Sequence, residues 1–364
     1  MNITNVSNIC IISPSLKLGG IERALTTLAM EFGALGHDVV FISCLNEKPF
    51  YTLTQNIKVL QPSFNRNASL INKFFFYVRL LFYIRHKVNS IKPSAVLVYG
   101  DWFSPLSLLA LYGTKHKIFI SDRTHPEYRF KFPIPQLKKW LYPRSAGFIA
   151  QTMRAKDHKL KVFGNKLRVE IIPNALPEFI TNEVEKIRRE NKLIYVGRFA
   201  WEKDPEILIR AMKYVAVSYP NWVLEMAGSG PLIGKMQSLV LDLGIENQVK
   251  FLGNVKNVAT LYQSSSFLIL PSVVEGFPNT LIEGMSFGLP TICFDDIPYE
   301  DIIEHNINGF VVKGRSPIIL ANSITELIED INLRNTVANN ARKSVEKYHR
   351  KFVTQQILTF MKIK

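Results

Sequence analysis

One order of elements occurs twice along the chain, and it constrains the fold more than any other feature. NICIISP (8–14) is a short apolar run of strand length, and SLKLGG follows as a glycine turn. IERALTTLAMEFGALGHDV then shows helical periodicity until Gly36 stops it, and VVFISC (39–44) is again strand-like. A strand, a glycine loop, a helix and a second strand in that order form a doubly wound α/β unit. AVLVY (95–99), KIFIS (117–121), GFIAQ (147–151) and VEIIP (169–173) extend this first set. After the polar segment EVEKIRREN (183–191) the order starts again with the strand KLIYVG (192–197). DPEILIRAMKYVAVSYP (204–220) reads as a helix with Asp204 as N-cap. WVLEMAG (222–228), QVKFLG (248–253), SFLILP (266–271), LPTICF (289–294) and GFVV (309–312) continue the second sheet. The last stretch, roughly 336–364, is helical by pattern.

The chain of 364 residues is long enough for two such domains. They are expected at 1–178 and 179–345, with a linker near 174–190. Two doubly wound domains joined in this way make a cleft. Ligands in such folds bind beyond the carboxyl ends of the strands, so the polar residues just after strands are the ones to weigh. Cys10, Cys44 and Cys293 are scattered, without metal-ligand or disulfide spacing, and fit a reducing compartment. The N-terminus has no basic stretch before its first apolar run, so no signal peptide is expected.

The net charge of +15 is concentrated in one half. Residues 1–180 hold 24 Lys and Arg against 10 Asp and Glu, whereas residues 181–364 hold 21 against 20. Residues 51–100 contain seven basic side chains (Lys58, Arg66, Lys73, Arg79, Arg85, Lys87, Lys92) and no acidic one. The asymmetry points to a polyanion met by the first half alone, either nucleic acid or an anionic membrane. Within this half, KFFFYVRLLFYIRHK (73–87) is too short and too charged to span a bilayer, which takes about 20 apolar residues. It reads either as a core helix with snorkelling ends or as a helix lying on a membrane surface. On a helical wheel Lys73, Arg79, His86 and Lys87 share one arc, and Arg85 falls outside it.

The strongest chemical signal is PSVVEGFPNTLIEGMSFGLP (271–290). Glu275 lies in a loop after a strand and Glu283 eight positions later, with Gly276, Phe277, Pro278, Asn279 and Thr280 forming the turn between them. Asn279 or Thr280 is expected to cap the helix that holds Glu283. The backbone N–H groups of this turn and the helix N-terminus suit a phosphate. A carboxylate in the first helical turn suits a ribose diol, and one in the loop suits a sugar hydroxyl. In GRFAWEKD (197–204), Arg198 and Lys203 flank a loop after a strand and suit a diphosphate, stabilising it as a leaving group. In LKLGGIER, Gly19 and Gly20 allow close backbone approach to a ligand. This is no dinucleotide fingerprint, since no acidic residue ends the second strand. AGSGPLIGK (227–235) is glycine-rich but lacks the Gly-Lys-Ser/Thr of a P-loop. No carboxylate pair reads as a metal site, and FDD (294–296) is not an Asp-x-Asp motif.

Taken together these segments resemble the retaining glycosyltransferases of family 4, which have the GT-B fold. GGIER, IIPNALP, VGRFAWEKD, MAGSGPL, VKFLGNVKNVATLYQSSSFLILPSVVEGFPNTLIEGMSFGLPTI and NGFVV carry the resemblance over nearly the whole chain. It implies an α/β protein of two Rossmann-like domains facing across a cleft, the first for the acceptor and the second for a nucleotide-sugar donor. It also implies that the last helix, about 346–364, packs back on the first domain. By position, Glu275 would contact the donor sugar, Glu283 the ribose, and Arg198 and Lys203 the diphosphate. Gly19 and Gly20 would close over the phosphate, and the loop around Val255 would meet the base through backbone groups. Many relatives place a His near the reacting carbon. Here ISDRTHPEYR offers His125, with Arg123 as an equally suited phosphate or acceptor contact and Asp122 as a residue to orient either.

The resemblance further implies hexosyl or N-acetylhexosaminyl transfer from a UDP-sugar, with retention, front-face attack, and no metal or other cofactor. On this reading Arg198→Ala lowers kcat more than Glu283→Ala does, because leaving-group charge grows only in the transition state. The look is nearest to enzymes that extend lipid-linked oligosaccharides for surface polysaccharide or glycoprotein assembly. A polyprenyl-diphosphate-linked acceptor in an anionic leaflet then accounts for the basic, aromatic first half, and for a cytoplasmic protein peripheral on the inner face of the membrane. Lys73, Arg79, Arg85 and Lys87, with Arg129, Lys131, Lys138 and Lys139 of RFKFPIPQLKKWLYPR (129–144), are the expected acceptor and membrane face. Rival readings are a transferase with a soluble acceptor, a nucleotide-sugar epimerase, and a basic nucleic-acid-binding protein. No RNA- or DNA-binding signature appears, so nucleic acid is not expected as a partner.

Overall fold

The computed structural model describes residues 6–17, 19–65, 69–125, 128–177 and 189–363. The chain forms two compact units, Met1–Ala175 with His349–Lys364, and Leu176–Tyr348. The expected boundary at 178/179 and most of the expected linker lie outside the described residues, as does Pro126 of the His125 loop.

The first unit holds β1 (Asn8–Ser13), α1 (Gly20–Ala34), β2 (Asp38–Ser43), β3 (Ile57–Leu60), α2 (Leu70–Ile91), β4 (Ala95–Tyr99) and α3 (Phe103–Ala110). It continues through β5 (Ile118–Ser121), α4 (Ile134–Leu141), β6 (Gly147–Ala150), α5 (Met153–Phe163) and β7 (Val169–Ile171). Among the described residues the strands form one parallel sheet, ordered β3-β2-β1-β4-β5-β6-β7. Helices cover both faces, which is why β1 and β4 are nearly continuous apolar runs. Side chains alternate across the sheet. Ile9, Ile11, Ala95 and Leu97 pack with α1 on one face, and Cys10, Ile12, Val96 and Val98 pack with α2, α3 and α4 on the other. β3 escapes a sequence reading because it is a four-residue edge strand burying only Ile57.

The C-terminal stretch is not one helix. α11 (Ile331–Ser344) ends, a 3-10 turn covers Glu346–Tyr348, and α12 (Arg350–Met361) follows. Buried Tyr348 fixes the turn, its hydroxyl donating to the Asp301 carbonyl at 2.9 Å. α12 belongs to the first unit and buries Val353, Ile357, Leu358, Phe360 and Met361 in the layer that holds α1. Arg350 pairs with Glu31 of α1 at 2.8 Å.

The second unit contains β8 (Lys192–Val196), α6 (Pro205–Ser218), β9 (Val223–Ala227), α7 (Ile233–Leu243), β10 (Val249–Gly253), α8 (Val258–Ser264) and β11 (Phe267–Leu270). It continues through α9 (Asn279–Ser286), β12 (Thr291–Phe294), β13 (Phe310–Val312), α10 (Pro317–Glu329) and α11. Its parallel sheet runs β10-β9-β8-β11-β12-β13. The strand order reverses between neighbouring β8 and β11, and in sheets of this kind ligands bind beyond the carboxyl ends of the strands at such a reversal.

Candidate functional site

Both loops at this switch point carry the residues singled out by the sequence. After β8 the chain runs Gly197–Arg198–Phe199–Ala200, then a 3-10 turn over Trp201–Lys203, then Asp204. After β11 it runs Pro271–Pro278 into α9. The Glu202 carbonyl accepts from the Val273 and Val274 N–H groups at 2.9 and 3.2 Å, which stitches the loops together. Across that seam Lys203 Nζ meets Glu275 Oε1 at 2.5 Å, and the same oxygen accepts from Ser272 Oγ at 2.8 Å. The glycine-rich loop after β9 supports the first loop from the side. Gly228 (φ 138°) and Gly230 (φ 157°) have backbones that L side chains rarely adopt, and a Cβ on either would collide with the Gly197 or Phe199 carbonyl oxygen.

The cations expected to clamp a diphosphate are therefore already paired. Lys203 is held by Glu275, and the Arg198 guanidinium, 66% exposed, pairs with Glu202. Burial pushes the Tyr195 phenol up, and its hydroxyl donates to the Arg198 carbonyl at 2.9 Å beneath the loop. Asp296 of FDD pairs with Arg315 at 2.8 Å. Among the described residues no group of three or more His, Cys, Asp or Glu side chains is placed to hold a metal ion.

Two local expectations are corrected in α9. Pro278 precedes the helix, so neither Asn279 nor Thr280 is its cap, and Glu283 stands at the fifth position, in the second turn. Glu283 is 3% exposed and accepts from the Tyr262 hydroxyl at 3.2 Å. The Phe277 and Pro278 side chains are also buried, Phe277 against the Tyr348 ring, so these two offer a ligand backbone rather than side chain. Gly276, Asn279 and Thr280 are half-buried, as is Val255 in the loop between β10 and α8.

In the first unit, Gly19 is extended (φ −179°), a conformation open to any residue. The Glu22 carboxylate lies where a Gly19 Cβ would point, so a larger residue there would displace it, and its other oxygen accepts from Ser15 Oγ at 2.9 Å. Gly20 opens α1, with free space around its Cα. The loop after β5 is fixed by an ion cluster that the sequence reading missed. Asp101, just beyond β4, accepts from the Arg123 N–H (3.0 Å), the Thr124 N–H (3.1 Å), Thr124 Oγ1 (2.7 Å) and Lys138 Nζ (2.8 Å). Asp122 accepts from Tyr142 (2.5 Å), Lys138 (3.1 Å) and Lys159 (2.6 Å). Burial alone would raise the Asp122 pKa, but Lys159 and Lys138 outweigh it and bring it to about 2. The Asp122 oxygens thus serve this cluster. Arg123 lies over the Tyr99 ring, 3.4 Å from its centroid, and bonds Asn174. His125 is half-buried, with its carbonyl accepting from the Tyr128 N–H at 3.0 Å.

Lys138 requires a correction of a different kind. It is 8% exposed and buried in the ion cluster, so it is not part of a membrane face, unlike its exposed neighbour Lys139. α2 turns Phe76, Leu80, Ile84 and Val88 into the core and Ile71, Phe74, Phe75 and Phe82 outward, so it is a core helix with a second apolar face in solvent. Arg79 is exposed beside the Phe64 ring, and Lys73 and Lys87 are half-buried. Arg85 faces α3, donating to the Ala110 and Tyr112 carbonyls at 3.0 and 2.8 Å. Arg129 and Lys131 are exposed, near exposed Phe132 and Trp140. Among the described residues no helix is long and apolar enough to cross a membrane.

Two family models match the chain, Glycosyltransferase Family 4 over residues 18–177 and Glycosyl transferases group 1 over residues 178–344. The chain is 27% identical over 361 residues to a Campylobacter jejuni enzyme, GalNAc-alpha-(1->4)-GalNAc-alpha-(1->3)-diNAcBac-PP-undecaprenol alpha-1,4-N-acetyl-D-galactosaminyltransferase, with 96% of this chain and 97% of that one covered. It is 23% identical to an amylovoran biosynthesis glycosyltransferase of Erwinia amylovora, covering 91% and 92% of the two chains. Among solved structures it superimposes on Anabaena HepE in complex with UDP with a TM-score of 0.80 at 18% identity, covering 98% and 99%.

Proposed function

Because the chain belongs to the family 4 glycosyltransferases and has the GT-B fold, we propose that it moves a hexose or N-acetylhexosamine from a UDP-sugar to a polyprenyl-diphosphate-linked saccharide, with retention, in surface-glycan assembly. The donor belongs to the second unit and the acceptor to the first. The observation that carries the donor reading is the Lys203–Glu275 pair at the β8/β11 switch point, where an α/β sheet accepts ligands. In this reading the diphosphate takes Lys203 from Glu275. The ammonium then stabilises charge growing on the leaving phosphate, and the released carboxylate accepts from a donor-sugar hydroxyl. Glu283 receives the ribose, and the backbone of the 276–280 turn and of Val255 lines the phosphate and base. Arg198 is a second cation for the phosphates, and in the first unit Gly19, Gly20 and His125 are the candidate ligand contacts.

The acceptor reading draws support from the Campylobacter relative, whose name describes an undecaprenol-linked substrate. It also draws on the charge of the first unit. From Lys48 to Lys156 the only acidic residues are Asp101, Asp122 and Glu127, and the two described ones are consumed in the buried ion cluster. The exposed surface of this stretch is thus basic, with outward Phe74, Phe75, Phe82, Phe132 and Trp140 among the charges. That combination suits peripheral docking on the inner, anionic face of a membrane. With a lipid acceptor in phosphatidylglycerol vesicles, K73Q/R79Q/K139Q is expected to bind about 10²-fold more weakly, at about 1 kcal/mol per charge. It is expected to keep its turnover on a water-soluble short-chain acceptor. Vesicle binding equal to wild type, measured by co-sedimentation, overturns the membrane reading.

A further inference from the structure

Arg315, which follows β13, joins the two loops of the donor site. Its Nη2 donates to Asp204 Oδ2 at 2.7 Å and to the Pro271 carbonyl at 2.6 Å. Its Nη1 donates to Asp296 Oδ2 at 2.8 Å and to the Ser272 carbonyl at 3.4 Å. The guanidinium lies on the Phe294 ring, 4.4 Å from the centroid. One planar group therefore touches the residue after Lys203 and the two residues that lead towards Glu275. Ser272 itself holds Glu275 through Oγ at 2.8 Å. Asp204 has φ 38°, a strained value for a residue other than glycine, and is kept there by its bond from the Ile207 N–H (3.4 Å) and by Arg315.

We propose that Arg315 is a positioning residue for glycosyl transfer, setting the separation of Lys203 and Glu275 by tying the loop after β8 to the loop after β11. The inference rests on reading that pair as the donor site. A lysine does not replace it, since a single ammonium lacks both the flat fork that meets four oxygens and the ring stack. Asp296 anchors the guanidinium from the far side, which gives FDD a structural role.

The test is a double-mutant cycle on kcat, with thermal unfolding followed in parallel. R315K is expected to keep a transition within a few degrees of wild type and to lose about 10²-fold in kcat, the order produced by a misplacement near 1 Å. Donor KM is expected to change less than kcat. In a K203A background, R315K is expected to cost almost nothing more, because its effect passes through Lys203. Wild-type kcat in a folded R315K, or full additivity with K203A, overturns the inference. If R315K fails to fold, D296N frees one side of the guanidinium. A several-fold kcat loss absent from the K203A background supports the proposal, and an unchanged kcat contradicts it. Unchanged kcat in K203A alone brings down the donor-site reading instead.

Discussion

Lys203→Ala is expected to lower kcat by roughly 10²–10³-fold, the usual cost of removing one group that meets developing charge. The side chain is 22% exposed and sits at the seam of two loops whose backbones are bonded to each other. Its ammonium is therefore held at the donor site before the donor arrives and has only to exchange Glu275 for the diphosphate. Arg198→Ala is expected to cost less than Lys203→Ala, because Arg198 is 66% exposed and its charge is partly spent on Glu202. Glu283→Gln is expected to act mainly through donor KM, since ribose contacts are equal in ground and transition states. Glu283→Ala is a poorer probe, because it also removes a buried hydrogen bond with Tyr262. The check is a steady-state comparison of K203A, R198A and E283Q on one donor. A K203A enzyme with wild-type kcat would remove Lys203 from the reaction.

The second large effect concerns stability. Asp122→Ala takes the carboxylate from between Lys138 and Lys159, both buried, and is expected to destabilise the first unit by about 3–5 kcal/mol. The same group sets an acid limit. Its pKa falls from 3.8 to about 2 on folding, as Lys159 and Lys138 overcome the desolvation that opposes ionisation. A depressed carboxylate contributes stability that is fully present above the unfolded pKa and is lost as pH drops through the folded one. The window is therefore about pH 4 down to pH 2, and the contribution is roughly 2 kcal/mol. Urea unfolding followed by a probe in the first unit checks both statements. D122A should have a lower midpoint at pH 7, and its curve should flatten against pH in that window while wild type keeps the slope. Equal midpoints would mean that the cluster adds nothing to the fold.

What could be read in advance follows from the range of the interactions. Strand and glycine-loop order is local, so both sheets, apart from the edge strand β3, and the loops holding Arg198, Lys203 and Glu275 were legible. Pairings made by folding were not. Arg315 meets Asp204 across 111 residues, and no nearby motif marks it. Lys138 and Lys139 look equivalent in QLKKWL, yet consecutive helix positions lie about 100° apart, so one turns inward to Asp101 and Asp122 while the other stays in water. A signal for the cluster did exist. Asp101 is the one acidic residue between Glu47 and Asp122, and a lone carboxylate in so basic a stretch has a reason to be buried with a cation. The start of α9 was misplaced because Asn279 and Thr280 are good caps, whereas Pro278 fits just before a helix and sets the boundary there.

The most direct measurement is mass spectrometry of the lipid after the protein is incubated with a panel of UDP-sugars and short-chain polyprenyl-diphosphate saccharides. The expected result is a gain of one hexose or N-acetylhexosamine on the lipid with one of the donors, lost in K203A. UDP release without any gain in lipid mass would contradict it.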